Sequence, residues 1–352
     1  MKNQTIGRWL MPIVCLFIGF SDLAAQEGKI SGYIFGDYFY EFSHPSAKTD
    51  ALNRNGFQFR RAYFTFDRDL SEKFSVRFRL EMNGPDLMGS ENFGAFKSGP
   101  DSSRTDLLRP YIKHAYLRWN NLIPQSKLSF GLVNTPTFYL ADEVWGYRSV
   151  EKTIMDLRRI ASSADLGVTA EGKFTKSGVL NYHILVANGA GTRAETDKSK
   201  RVYINAPVKI QKIFHLVPYF DYEGGDQGKS KNTFAFFAGL QTPGLHGGVE
   251  VFQKTSNKAS KDAAGKIVDK IEEGFSVFGA VKMAEKVKLL GRFDFYDPNT
   301  KLKDDGNIFI IGGLDFAPEK NINIIPNVKI EGYQAAGKDA NTTGLLTFFF
   351  RF

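Results

Sequence analysis

The chain is nearly without cysteine: Cys15 is the only one in 352 residues, and it lies within an apolar run near the start, over 9–20. Beyond that run there can be no disulfide, no thiolate metal site and no cysteine nucleophile. Histidine is sparse too, and His44, His114, His183, His215 and His246 show no metal-ligand spacing. None of them neighbours a serine in a nucleophile elbow. After the first run no stretch approaches the 18 apolar residues of a membrane-crossing helix. Tryptophan is scarce at 3 residues, whereas Phe 32, Tyr 14 and Gly 34 favour strands and tight turns. No Pro-rich linker or low-complexity segment divides the chain, so one continuous sheet is the simplest organisation.

The two ends are informative. Lys2 and Arg8 precede the apolar run, and Leu23-Ala24-Ala25 supplies small residues ahead of Gln26. This reads as a secretory signal peptide over 1–25, cleaved near Ala25. At the other end, Leu346, Phe348, Phe350 and Phe352 share one face of a strand. Such a row on a terminal strand would be an aggregation hazard in water, but it is an expected surface in lipid. The ending resembles that of outer-membrane β-barrels of Gram-negative bacteria, which implies that barrel assembly machinery reads Phe352. A membrane chain without membrane helices must close its sheet, because lipid offers no partner to unpaired backbone groups.

Period-two alternation bounded by turn residues predicts sixteen strands: 29–42, 55–67, 73–82, 111–119, 127–134, 165–173, 178–188, 200–212, 214–223, 231–241, 247–254, 273–284, 286–297, 306–317, 321–332 and 343–352. In the third, Phe74, Val76, Phe78, Leu80 and Met82 fall on one face and Lys73, Ser75, Arg77, Arg79 and Glu81 on the other. The connections alternate long (43–54, 83–110, 135–164, 189–199, 255–272) and short (68–72, 120–126, 174–177). Sorting by parity is the asymmetry of an outer-membrane barrel, with both chain ends on the short-turn rim. The expected fold class is therefore all-β: a sixteen-stranded antiparallel transmembrane β-barrel over 26–352.

Several segments carry a family resemblance: Gly32-Tyr33-Ile34-Phe35-Gly36-Asp37, Phe57-Gln58-Phe59-Arg60-Arg61-Ala62-Tyr63, Gly131-Leu132-Val133-Asn134-Thr135-Pro136 and the terminal Phe352. With the length, they resemble the phosphate-selective porin O/P family of sixteen-stranded porins. The resemblance spans the whole mature chain, although only the Arg-Arg-Ala-Tyr and Gly-to-Pro segments are specific at residue level. It implies a homotrimer in the outer membrane, with a third long loop, here 135–164, folded inward as a constriction. In that loop 150–160 forms a short helix packing Ile154, Leu157 and Ile160 on the wall, which would bring Arg158 and Arg159, with Arg148, near the narrowest point.

The candidate solute-contact residues are basic. Arg77 and Arg79 share the polar face of strand three, about 6.6 Å apart along it, and Arg118 alternates with Ala115, Leu117 and Trp119 to point the same way. In strand two the odd residues Phe57 and Phe59 face outward, but so do the even residues Phe64 and Phe66. A β-bulge near Arg60-Arg61 would repair this slip and turn both arginines inward. Guanidinium groups offer forked donors to phosphate or carboxylate, so Arg60, Arg61, Arg77, Arg79, Arg118, Arg148, Arg158 and Arg159 form the expected anion-contact set. Alternatively these arginines pair with Glu81, Asp67 and other acids and simply hold a wet interior together.

The resulting expectation is a passive porin with anion preference, phosphate being one candidate solute, and with outer-membrane lipid as its surroundings. No cofactor, metal, nucleic-acid partner or enzymatic activity is expected. The alternatives are a plugged structural or adhesive barrel and, more remotely, a barrel hydrolase. Glu223-Gly224-Gly225-Asp226-Gln227-Gly228-Lys229-Ser230 only superficially resembles a P-loop and reads as an outer loop.

Overall fold

The computed structural model describes residues 28–44, 53–84, 109–262 and 265–352. The expected signal peptide, and most of the connection 83–110, lie outside the described residues. The first strands are β1 (Lys29–Ser43), β2 (Asn55–Asp69), β3 (Phe74–Asn83), β4 (Arg109–Asn120), β5 (Ser126–Asn134), β6 (Ala164–Lys173), β7 (Asn181–Ala187), β8 (Arg201–Asn205) and β9 (Val208–Ile210). They continue as β10 (Phe214–Glu223), β11 (Lys231–Gln241), β12 (Leu245–Lys261), β13 (Ile267–Ala284), β14 (Val287–Asp297), β15 (Asn307–Glu319), β16 (Ile322–Tyr333) and β17 (Asn341–Arg351). Two helices, α1 (Tyr139–Trp145) and α2 (Ile154–Leu157), interrupt the series between β5 and β6.

Every pairing is antiparallel, and β1 pairs with both β2 and β17, so the sheet closes on itself. Since β8 and β9 both pair with β10, they are two halves of one stave, and the barrel has sixteen staves. The expected continuous strand 200–212 is broken at Ala206-Pro207. Asn205 pairs with Tyr219 and Val208 with Leu216, which leaves Ala206 opposite Pro218 and Pro207 opposite Val217. Neither proline has an N–H to donate, so the ladder lapses there.

A second departure is the expected long loop 255–272. Most of it is strand: β12 and β13 stay paired as far as Lys261 and Ile267, with a register irregularity between Ser256 and Ser260. The turn between β9 and β10 places Gln211 and Lys212 at φ of 53° and 58°, closed by a 3.0 Å hydrogen bond from Ile213 N to Ile210 O. Two positive-φ central residues match the right-handed twist of the strands they join.

Side chains sort by face. Phe78, Leu117, Phe130, Val168, Ile184, Phe236, Val251, Val277, Leu289, Ile310, Ile324 and Phe348 form an exposed apolar outer band. The alternate positions carry Asp37, Thr65, Glu81, Arg201, Asp221, Arg292, Asp294 and Lys329, all buried inside. A surface of this kind matches hydrocarbon as its solvent, with the polar groups facing the lumen. Among the described residues no helix is long and apolar enough to cross a membrane.

Candidate functional site

β2 supplies the first element of the lumen. Phe35 of β1 pairs with Arg61, and the next residue, Gly36, pairs with Phe59, so Arg60 is an extra residue in β2. The bulge near Arg60-Arg61 read from the alternation is present, and both arginines point inward and are buried. A second bulge occurs in β4. Arg79 pairs with His114 and Leu80 with Ile112, which leaves Lys113 extra. Each bulge adds one inward cation to the same wall.

The eight candidate arginines meet different fates. Arg60 Nε lies 2.6 Å from Asp37, and Arg61 Nε lies 3.3 Å from Glu81, which also takes Lys113 Nζ at 3.1 Å. Arg77 grips Asp67 with two donors at 2.7 and 2.8 Å. Arg118 reaches Glu171 at 3.2 Å and lies over the Tyr116 ring, 5.1 Å from its centroid. Arg148 bridges two carboxylates of its own loop, Asp142 at 2.8 Å and Asp156 at 2.5 Å. Arg158 turns to the barrel wall, donating to Glu331 at 2.9 Å and Asn307 at 2.6 Å over the Tyr296 ring.

Of the eight, only Arg79 and Arg159 make no ion pair with an acid among the described residues. Arg79 Nε donates to Thr65 Oγ1 at 2.7 Å, and its guanidinium lies 5.6 Å from the Tyr63 ring centroid. Arg159 is exposed, with φ at 55°. Arg77, Arg79 and Arg118 are only half-buried and share one wall. At the short-turn rim of that wall an open vestibule of about 570 Å³ is lined by Asp69, Glu72, Asn120, Lys127 and Lys173 among others.

The segment 135–163 packs against the inner wall. Leu140, Val144, Trp145 and Val150 are buried in one cluster with the inward residues Val217, Phe237, Phe278, Leu290, Phe309 and Ile325. Ile154 and Ile160 join a second cluster with Tyr203, Tyr219 and Phe252. The helix read over 150–160 is only the single turn of α2, and α1 has no counterpart in the sequence reading. Behind α1 the remaining void is about 10 Å³, bordered by Thr137, Asn205, Tyr219 and Glu250.

Electrostatics tie the loop down. Burial raises the Glu151 carboxyl, but the Lys329 ammonium and the Arg60 guanidinium outweigh it and hold it at about 2. Burial also raises Asp142 and Asp156, with Arg148 opposing it in both. Asp142 ends above the usual carboxylate range and Asp156 below it. Across the gap, Arg61 and Lys113 act on Asp156 as well.

Among the described residues, inward basic side chains that escaped the sequence reading include Lys113, Arg201, Arg292 and Lys329. Arg201 pairs with Asp221 at 2.8 Å, Arg292 with Asp294 at 2.5 Å and Lys329 with Glu151 at 2.8 Å. Their signal was in the alternation, since Arg292 falls between Gly291 and Phe293 and Lys329 between Val328 and Ile330. His114 and His183 are buried on the inner face, where His183 Nε2 meets Thr169 Oγ1 at 2.8 Å.

No protein-family profile and no curated protein sequence matches the chain. Solved structures do. The outer membrane channel DcaP of Acinetobacter baumannii superposes with a TM-score of 0.65 at 11% identity, covering 95% of this chain and 99% of that one. The anion-selective porin from Comamonas acidovorans gives 0.62 at 11% identity, covering 93% and 99%. The trimer form of OmpT, an outer membrane protein of Vibrio cholerae, gives 0.57 at 14% identity, covering 93% and 99%. At these identities the likeness is one of fold: the chain has the architecture of outer-membrane barrels that include porins and channels.

Proposed function

We propose that the chain is an outer-membrane porin: a water-filled diffusion channel that prefers small anions, passes them passively down their gradient and performs no catalysis. The observation that carries the anion preference is Arg79, an inward guanidinium fixed by Thr65 and Tyr63 with no carboxylate within ion-pair distance among the described residues. On the same wall Arg77 and Arg118 are partly open to the lumen, and their partners Asp67 and Glu171 leave that wall with more cations than carboxylates. A positive lumen wall between low-dielectric surfaces concentrates anions and lowers their barrier. Phosphate belongs to the solute class such donors fit.

The likeness to an anion-selective porin and to a trimeric outer-membrane protein supports this reading and, with it, a homotrimer. The segment 135–163 serves as the constriction, with exposed Arg159 on its free side. Arg60, Arg61, Arg148 and Arg158 have structural roles in this scheme, because each is neutralised by an adjacent acid. A plugged structural barrel is the second reading, favoured by the apolar core that the loop builds inside the lumen.

Planar-bilayer recordings test both readings. In a salt gradient the parent gives a reversal potential of anionic sign, and Arg79→Glu moves it towards cations. The shift shrinks as salt approaches 1 M, where the Debye length is about 3 Å. A folded parent without conductance supports the plugged barrel. A parent already selective for cations removes the anion preference and leaves the channel.

A further inference from the structure

Between α1 and α2 the chain makes one turn, closed by Val150 N and Glu151 N on Tyr147 O, and four consecutive peptide carbonyls there each receive a side-chain donor. Ser149 O accepts from Arg60, and Val150 O accepts from both Arg60 at 2.9 Å and Lys329 Nζ at 2.7 Å. Glu151 O accepts from Trp145 Nε1 at 2.8 Å, and Lys152 O accepts from Arg292. The three cations come from β2, β16 and β14 and are all buried. A buried carbonyl left without a donor is costly, so those donors hold the turn at this place on the wall.

The charges of the clamp cancel locally. Arg60 faces Asp37, Arg292 faces Asp294, and Lys329 faces Glu151 at 2.8 Å. The trio therefore adds little to the field a passing solute meets. Lys329 differs from the other two because its counter-charge lies on the loop itself, so a single ammonium ties both the main chain and a side chain of the loop to the wall.

We infer that Lys329, with Arg60 and Arg292, is a positioning group that fixes the turn 149–152 and thereby sets the bore of the lumen. As a statement about bore it rests on the channel reading above. Three forms of the full-length protein are compared in detergent and bilayers: the parent, Lys329→Arg, and a Lys329→Met/Glu151→Gln double variant that leaves no buried charge unpaired. Amide hydrogen exchange over 146–158 and single-channel conductance are both measured, with folding checked by the mobility shift on boiling.

The double variant is expected to keep the mobility shift, to lose exchange protection over 146–158, and to split a single conductance level into several. Lys329→Arg is expected to retain most of the protection and the single level. If the parent does not conduct but the double variant still loses protection, the positioning role stands and the channel reading falls. Unchanged exchange and unchanged conductance in a folded double variant overturn the inference. If the double variant does not fold, Glu151→Gln alone decides: a folded variant that loses protection over 146–158 supports the role, and protection matching the parent overturns it.

Discussion

Gly32 and Phe352 exchange a pair of main-chain hydrogen bonds, 2.9 and 3.0 Å long, and the Phe352 ring occupies the space where a Cβ on residue 32 would stand, only 2.4 Å from it. Four residues further along β1, the Phe348 ring covers Gly36 in the same way. The seam where the first and last strands meet is thus an interlock of glycine and phenylalanine on the outer face. Tyr63 O lies 2.3 Å from the same Cβ position at residue 32, so a side chain there collides with backbone as well as with a ring.

Gly32→Leu should therefore impair closure, at a cost of about 1–3 kcal/mol or more from overpacking. Gly312→Leu, with nothing within 4 Å of its Cβ position, is the control. Refolding yield by the boiling mobility shift should drop for Gly32→Leu alone. Equal yields would show that the seam tolerates filling.

The two faces of β3 differ in what they tolerate. Phe78 is on the outer band and Arg77 on the inner wall. Phe78→Arg should lower assembly more than Arg77→Gln, since a cation on a lipid face costs roughly 2–4 kcal/mol near the bilayer midplane. Heat-modifiable yield in lipid reads the difference, and a reversed order would invert the faces.

Neutralising Glu81 should strengthen anion preference. Its carboxylate balances both Arg61 and Lys113, so Glu81→Gln leaves two inward cations with less compensation. The reversal potential should move further in the anionic direction, and thermal stability should fall because buried charges lose their partner. A reversal potential unmoved in a folded variant would place the pair outside the solute path.

Acid should loosen the loop. Glu151 is held at about 2, below its ordinary 4.5, so the stability it contributes is fully present above pH 4.5 and is lost as pH falls through that interval towards 2. Protonation weakens its bond to Lys329, and exchange protection over 146–158 should decline within this window. In the Glu151→Gln variant protection should be lower at neutral pH and flat through the window.

Much of the barrel was legible because its alternation is imposed by lipid on one side. Phe74 to Met82, or Leu289 to Phe295, announce strand and face together. Where lipid is absent, so was the signal. The outer reaches of β12 and β13, with Thr255, Ser256, Ser260 and Lys270, are largely polar and read as a loop although they pair. α1 was missed because its apolar residues follow no membrane period and are buried against the inside of the barrel. Of the site, the positions were legible and the pairings were not. That Arg60 meets Asp37 and Arg79 meets no acid depends on neighbours far off in sequence, which alternation alone cannot assign. The bulge at Lys113 was readable by the same slip that exposed the one at Arg60, as Ile112 and Ala115 both face out across two intervening residues.

Those two bulges bear on how such a wall can change. On β2, removing Arg60 leaves Phe59 outward and Arg61 inward in ordinary succession, and removing Lys113 does the same between Ile112 and His114. Each cation therefore behaves as a one-codon insertion that the sheet absorbs without turning a neighbour towards the wrong solvent. A lineage can gain or lose a lumen charge by a single in-frame indel, a route closed to a regular strand, where the same event would flip every residue beyond it.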